Sequence, residues 1–150
     1  MAIKLLENIG IENTGVGASA LNNLITGNKS GIVGNYLNEC AFTATGNTII
    51  IDTGLLIICG RQVEIDAIES ITLSSLPSED VRYQIVIELI KEESGEVTAS
   101  IFARKPSTLI QENLLKDGFV YQFELGRVTH KTTGQVTEAL RTADILYGQS

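Results

Sequence analysis

Tryptophan is absent from this chain of 150 residues, and histidine and methionine occur once each. Aromatic residues make up 5% against 43% for all hydrophobic types, so any core has to be built from aliphatic side chains. Cysteine is scarce too, and two thiols in a chain of this length are no disulfide framework. Cys40 and Cys59 both fall in apolar, strand-like runs. They read as small core hydrophobes of a protein made in a reducing cytoplasm. A Cys40–Cys59 bridge between neighbouring strands is the alternative. Basic residues are few: 11 Lys and Arg stand against 18 Asp and Glu, a net charge of −7. Without a basic stripe to follow a phosphate backbone, nucleic acid is not an expected partner. No apolar run approaches the roughly 18 residues of a membrane span. The longest, Ile49 to Ile58, is broken by Asp52 and Gly54. The opening MAIKLLENIG has one Lys and no long apolar region, so a secretory signal is not expected. The sequon Asn28-Lys29-Ser30 then carries no meaning for glycosylation.

What is present is organised around Cys40 to Asp66, CAFTATGNTIIIDTGLLIICGRQVEID. Short runs rich in Ile, Val and Thr are punctuated by Thr45-Gly46-Asn47, Asp52-Thr53-Gly54 and Gly60-Arg61. That pattern predicts consecutive strands joined by tight turns. A helix fits poorly, because glycine recurs at short intervals and the β-branched content is high.

Residues 1–39 differ from this. Gly10, Gly15, Gly17, Gly27, Gly31 and Gly34 break the segment repeatedly, and only Ser19 to Ile25 has the pattern of two helical turns. Such a leader cannot form its own core. It is expected to be a partly extended arm, lying against its own domain or a neighbouring subunit, with residues 40–150 as a single domain. Within that domain Ala67 to Leu73 reads as a strand, ended by a loop of Ser, Pro and acidic residues. Arg82 to Lys91 and Glu96 to Arg104 alternate in register around Glu92-Glu93-Ser94-Gly95, which predicts a hairpin. Its inward faces are Tyr83, Ile85, Ile87 and Leu89 on one strand and Val97, Ala99, Ile101 and Ala103 on the other. Thr108 and Gln111 have capping-box spacing and predict a short helix near 109–116. Phe119 to Val128 returns to strand, with Phe119, Tyr121, Phe123 and Leu125 on one face. Thr132-Thr133-Gly134 is a turn, and a second short helix fits near Glu138–Thr142. The sum is an all-β, mainly antiparallel protein of seven or eight strands with one or two short helices. A small β-sandwich or flattened barrel follows.

Few residues invite a chemical reading. Asp52-Thr53-Gly54 matches the active-site triplet of aspartic proteases, in which two carboxylates share a proton and activate water. A retroviral-type enzyme would need one triplet per chain and a dimer. Here, however, the triplet runs into Leu55-Leu56. The apolar-apolar-glycine element that family uses far downstream appears only as Ile57-Ile58-Cys59-Gly60, too near to serve. A hairpin turn between two apolar strands accounts for the triplet better. His130, beside Lys131 at a turn, reads as a surface polar residue rather than a triad member. One His and two strand cysteines do not supply a zinc site. Gly15-Val16-Gly17 lacks the third glycine and preceding strand of a dinucleotide loop. Glu92, Glu93 and Glu96 form a solvated hairpin tip. No catalytic residue, metal ligand or cofactor is assigned, and the chain is read as a non-enzyme.

One resemblance goes further. The Gly-rich leader Ser30-Gly31-Ile32-Val33-Gly34-Asn35 precedes the strand pair Gly46 to Glu64 (GNTIIIDTGLLIICGRQVE). Arg82 to Lys91 and its hairpin partner follow, then Tyr121 to Val128 (YQFELGRV). This order resembles the attachment-end, shoulder-like β-domain of bacteriophage receptor-binding and tail-fibre-type proteins, over about residues 30–145. Arg141-Thr142-Ala143-Asp144 is only a rearranged echo of that family's ending. The resemblance implies a structural virion component of a tail tip, baseplate or contractile injection particle. It would be assembled in the bacterial host cytoplasm and act as an assembly or fibre-attachment adaptor. Its partners would be other tail subunits and copies of itself. A receptor- or carbohydrate-binding module is the alternative. Of the four tyrosines, Tyr36, Tyr83, Tyr121 and Tyr147, two lie on predicted core faces, which leaves little for sugar stacking.

Overall fold

The computed structural model describes residues 3–5 and 29–146, which form twelve β-strands and no helix. The run at the centre of the chain resolves into four of them. β3 (Phe42–Thr45) and β4 (Thr48–Ile51) make one hairpin; β5 (Gly54–Ile58) and β6 (Arg61–Ile65) make a second. The turns explain the punctuation. Gly46, at φ +58°, opens a two-residue turn of the glycine-first type. Cys59 and Gly60 both take positive φ, +52° and +78°, as a type I′ turn requires.

Before and after them lie β1 (Ile3–Leu5), β2 (Gly31–Val33) and β7 (Glu69–Thr72). The long hairpin β8 (Val81–Lys91) and β9 (Val97–Arg104) comes next. β10 (Val120–His130), β11 (Val136–Arg141) and β12 (Ile145–Leu146) complete the chain. Three sheets result: β1-β6-β5-β2-β12, β11-β10-β8-β9 and β3-β4-β7. All pairings are antiparallel except β12 on β2. One aliphatic cluster draws on all three sheets: Ile32, Leu56 and Val63 from the first, Ile85, Ile87 and Leu125 from the second, Ile49 and Ile51 from the third. The arrangement suits a small β-sandwich, and no sheet closes into a barrel. Within the described parts of residues 1–39, β1 and β2 are strands of the first sheet and residues 34–39 begin a loop. The helix pattern at Ser19–Ile25 lies outside the described residues.

Two predicted helices are absent. Residues 136–141 are β11, and 114–117 form a turn that follows a lone bridge between Gln111 and Tyr121. Polar side chains claim that segment before a helix can. The Asn113 side chain accepts from the Leu115 N–H (3.0 Å), and Glu112 accepts from the Phe119 (2.9 Å) and Val120 (3.1 Å) N–H groups. The segment instead becomes a strap that runs from the polar side of β8, where Gln84 donates to the Ser107 carbonyl (3.4 Å), to the edge of β10. There Gln122 N–H donates to the Ile110 carbonyl (2.7 Å) and Glu112 N–H to the Val120 carbonyl (3.0 Å). Gln122 holds it, accepting from Ile110 N–H at 2.9 Å while donating to Glu88 at 2.7 Å. Phe119, predicted inward, is half exposed at the end of the strap.

Alternation also breaks inside β10. Glu124 faces Val86 and Gly126 faces Ile85, so Leu125 is a bulge residue without a partner on β8. Its carbonyl accepts from Thr142 (3.0 Å) and Ala143 (3.2 Å) N–H groups. An extra residue shifts the inward parity by one, so Tyr121 and Phe123 point inward before it, Val128 and His130 after it.

Candidate functional site

Asp52 and Thr53 do not form a hairpin turn. β4 pairs only with β3 and β7, and β5 only with β6 and β2, so the two residues carry the chain from one sheet to another. At that crossing the loop 34–41 folds over them. The Thr53 carbonyl accepts from Asn38 N–H (3.1 Å) and Cys40 N–H (3.0 Å), while Asp52 N–H donates to the Ala41 carbonyl (2.9 Å). The Asn38 amide donates to Asp52 Oδ1 (3.1 Å) and Thr53 Oγ1 (2.9 Å). Asp52 Oδ1 also accepts the N–H of the next residue, Thr53, at 2.7 Å, which pins the corner. From the far side Arg141 donates to the Glu39 carbonyl.

The loop itself is strained. Asn35, Leu37, Glu39 and Cys40 all have φ between +51° and +58°. Left-handed backbone at residues other than glycine costs about 1–3 kcal/mol each and persists only where surrounding contacts over-determine it. Those contacts are the ones just described, together with Asn35 N–H donating to the Glu39 carboxylate (2.7 Å).

Each member of the triplet therefore has a structural task. Asp52 and Thr53 bond the loop, and Gly54 makes room for it. A Cβ on Gly54 would lie 2.4 Å from Cys40 Sγ and 2.6 Å from its backbone nitrogen. Protease chemistry needs a second carboxylate sharing a proton with the first. Among the described residues Asp52 hydrogen-bonds to an amide side chain and a backbone N–H, not to another carboxylate. Cys40, fully buried beside it, is no better a nucleophile. Burial pushes its thiol up to about 12, with the Arg141 guanidinium pulling the other way and the Asp52 carboxylate adding to the rise. Attack needs a thiolate, and this one stays protonated.

The other candidates are scattered. His130 is buried, 2% exposed, not a surface residue; the β10 bulge turns it inward. Its ring lies 6.0 Å from that of Tyr83, and among the described residues its Nε2 has no hydrogen-bond partner. Among the described residues no Ser or Cys nucleophile is hydrogen-bonded to it. Cys40 and Cys59 are both free thiols, and the Cys59 N–H donates to Ser30 Oγ at 3.0 Å. Among the described residues no group of three or more His, Cys, Asp or Glu could hold a metal, and no helix is long and apolar enough to cross a membrane. Tyr83 and Tyr121 pack against the core, whereas Tyr36 is 46% exposed. Tyr147, Gly15, Gly17 and Asn28 lie outside the described residues.

Sequence reasoning missed the loop and a polar cluster under the strap. In the cluster Arg104 donates to Gln84 (2.8 Å), and Gln84 and Arg127 both donate to Glu124 Oε1 (2.8 and 2.9 Å). Thr142 donates to the other Glu124 oxygen at 2.6 Å. Desolvation alone would raise the Glu124 carboxyl, but these bonds outweigh it and hold the group below its ordinary value of 4.5. Gln84, Gln122 and Glu124 fall on the polar side of strands, where nothing in the sequence separates a buried network from a wet face. No protein-family model matches the chain, and no curated protein matches it.

Proposed function

We propose that this protein is a structural component of a bacteriophage tail tip, baseplate or related contractile injection particle, where it serves as an assembly or fibre-attachment adaptor. The observation that carries the reading is the Asp52 corner. The one triplet with a chemical precedent is fully engaged in joining two sheets and holding a loop, while the same loop presents exposed, uncharged side chains. A surface of that kind makes contacts rather than reactions. The resemblance of Gly46 to Glu64, Arg82 to Lys91 and Tyr121 to Val128 to shoulder-like tail domains points the same way.

A tagged copy expressed in cells that produce the particles provides the test. Immunogold label at the tail end of purified particles supports the reading. Protein recovered only free, with unlabelled particles, refutes it. The receptor- or carbohydrate-binding alternative draws on Phe119, which is 51% exposed in an open cleft beside Lys91, Glu92 and Glu93. Selective glycan-array binding that is lost in Phe119→Ala would favour that alternative.

A further inference from the structure

Of the five aspartates, Asp117 is the one followed by glycine, and no asparagine in the chain precedes a glycine. In Asp-Gly the side-chain carboxyl is most open to attack by the next backbone nitrogen, because glycine has no Cβ to hinder the approach. Packing explains the glycine. A Cβ on Gly118 would lie 2.6 Å from Glu112 Cβ, 2.7 Å from Asn113 N and 2.8 Å from Asn113 O. No larger residue closes this turn, which brings the Phe119 and Val120 N–H groups onto the Glu112 carboxylate.

The aspartate has no such task. Asp52 accepts bonds from Asn38 and Thr53, and Asp80 from Lys131 and Thr132. Asp117 is exposed, and among the described residues its carboxylate makes no hydrogen bond or ion pair. In the closed turn the Gly118 N–H donates to the Asn113 carbonyl at 2.9 Å, an acceptor it shares with the Lys116 N–H at 3.1 Å. Lys116 and Asp117 are both exposed, so the bond lies in a wet surface turn of the kind that opens locally at little cost. Opening frees the nitrogen to meet the carboxyl beside it.

We propose that Asp117-Gly118 is a self-modification site, which isomerises to isoaspartate and thereby loosens the strap. The Gly118 nitrogen attacks Asp117 Cγ, and the N–H proton leaves with a carboxyl hydroxyl as water, giving a succinimide. Water then adds to the main-chain carbonyl of residue 117, and the bond from that carbon to nitrogen breaks. The chain now runs through Cβ, and the former main-chain carbonyl is a free carboxylate. One water leaves and one enters, so no oxidant takes part and the mass is unchanged. The main chain is longer by one carbon, beside a glycine where even a Cβ has no room. That displaces the turn and draws the Phe119 and Val120 N–H groups off Glu112. The chemistry is independent of which assembly the chain joins.

Ageing the purified full chain at neutral pH, followed by peptide mapping with electron-transfer fragmentation, provides the test. Isoaspartate is expected at position 117, and not at Asp52 or Asp80, in protein that keeps its native circular dichroism spectrum. Asp117→Glu, which would need a larger ring, should abolish the product and leave the melting temperature unchanged. In the isomerised fraction, amide exchange at Phe119 and Val120 should be at least about fivefold faster, the factor set by losing one ordinary hydrogen bond. A folded chain with no isoaspartate at 117, by the time a urea-unfolded sample has reached its plateau, overturns the proposal. Isomerised chain that exchanges Phe119 and Val120 at the original rate overturns it too.

Discussion

Replacing Gly54 by alanine tests the claim that Asp52-Thr53-Gly54 is a structural corner. The added Cβ would sit 2.4 Å from Cys40 Sγ, 2.6 Å from Cys40 N and 3.3 Å from Cys40 Cα. The sulfur could rotate away, but the nitrogen cannot. Its N–H donates to the Thr53 carbonyl at 3.0 Å, so retreat would open the contact that holds the loop on the corner. Overpacking of a tight interior commonly costs about 1–3 kcal/mol, and a backbone neighbour puts this site at the upper end. For a chain of this size that is a fall in melting temperature of roughly 6–12 °C. Urea denaturation followed by circular dichroism should show a lower midpoint at unchanged slope. Adding Cys40→Ala removes the sulfur but not the nitrogen, so the double variant should recover part of the loss and not all. Asp52→Asn keeps an oxygen to accept the Thr53 N–H and should change stability by less than about 1 kcal/mol. A Gly54→Ala protein within about 0.5 kcal/mol of wild type would refute the packing argument.

Two further outcomes follow from the ionisable groups. Cys40 should resist iodoacetamide at pH 8 in the native protein and react after unfolding, with mass spectrometry of the Cys40 peptide as the readout. Its folded-state thiol is raised to about 12 from an ordinary 9.0, so the associated stability is complete below pH 9 and declines as pH rises from there towards 12. The carboxylates run the other way. Backbone bonds to Phe119 and Val120 lower Glu112, a backbone bond to Thr132 lowers Asp80, and Glu124 is lowered by its side-chain bonds against desolvation. Their contribution is present above their ordinary values of 4.5 and 3.8 and is lost as pH falls below them. Acidification below about pH 4.5 should therefore loosen the strap first, seen as faster amide exchange at Phe119 and Val120, and Glu112→Ala should speed exchange at the same two amides at neutral pH. Unchanged exchange there would count against Glu112 as the anchor.

The strands from Phe42 to Ile65 and the hairpin β8–β9 were legible because their signals are local. Glycine at a turn, alternation along ten residues and β-branched runs are all set by the nearest few residues. The strap was not, because Thr108 and Gln111 satisfy a helix-start pattern, while Glu112 bonds to the Phe119 and Val120 N–H groups beyond that pattern and Asn113 takes the Leu115 N–H in a local turn. His130 was misplaced because it was read as part of the turn beside Lys131, whereas β10 runs on through it and the Leu125 bulge turns it inward. Nothing in YQFELGRVTH marks Leu125 as a bulge, since the carbonyl it presents is used by Thr142 and Ala143 from another part of the chain. Alternation read straight through that point assigns every later residue to the wrong face.

The Asp52 corner shows the same limit at the level of sheets. Four apolar runs separated by turn residues look like one meander, and the strands themselves were correctly anticipated. Which strands pair is decided elsewhere. β4 takes β7 rather than β5 because Thr48–Ile51 matches Glu69–Thr72 in register, with Ile49 opposite Ile71 on the core side. β5 takes β2, and Gly31 permits this pairing edge to be closed by β12, since a Cβ there would meet the Asp144 carbonyl at 2.7 Å. With both of its neighbours taken, the link between β4 and β5 has to cross between sheets, and a crossing leaves backbone groups that a hairpin would have satisfied. The left-handed loop supplies those partners: Thr53 C=O takes two of its N–H groups and Asp52 N–H takes its Ala41 carbonyl. The loop's strain is thus a consequence of strand pairing that no local pattern reveals. The same strain is what lifts Tyr36 and Leu37 away from the core.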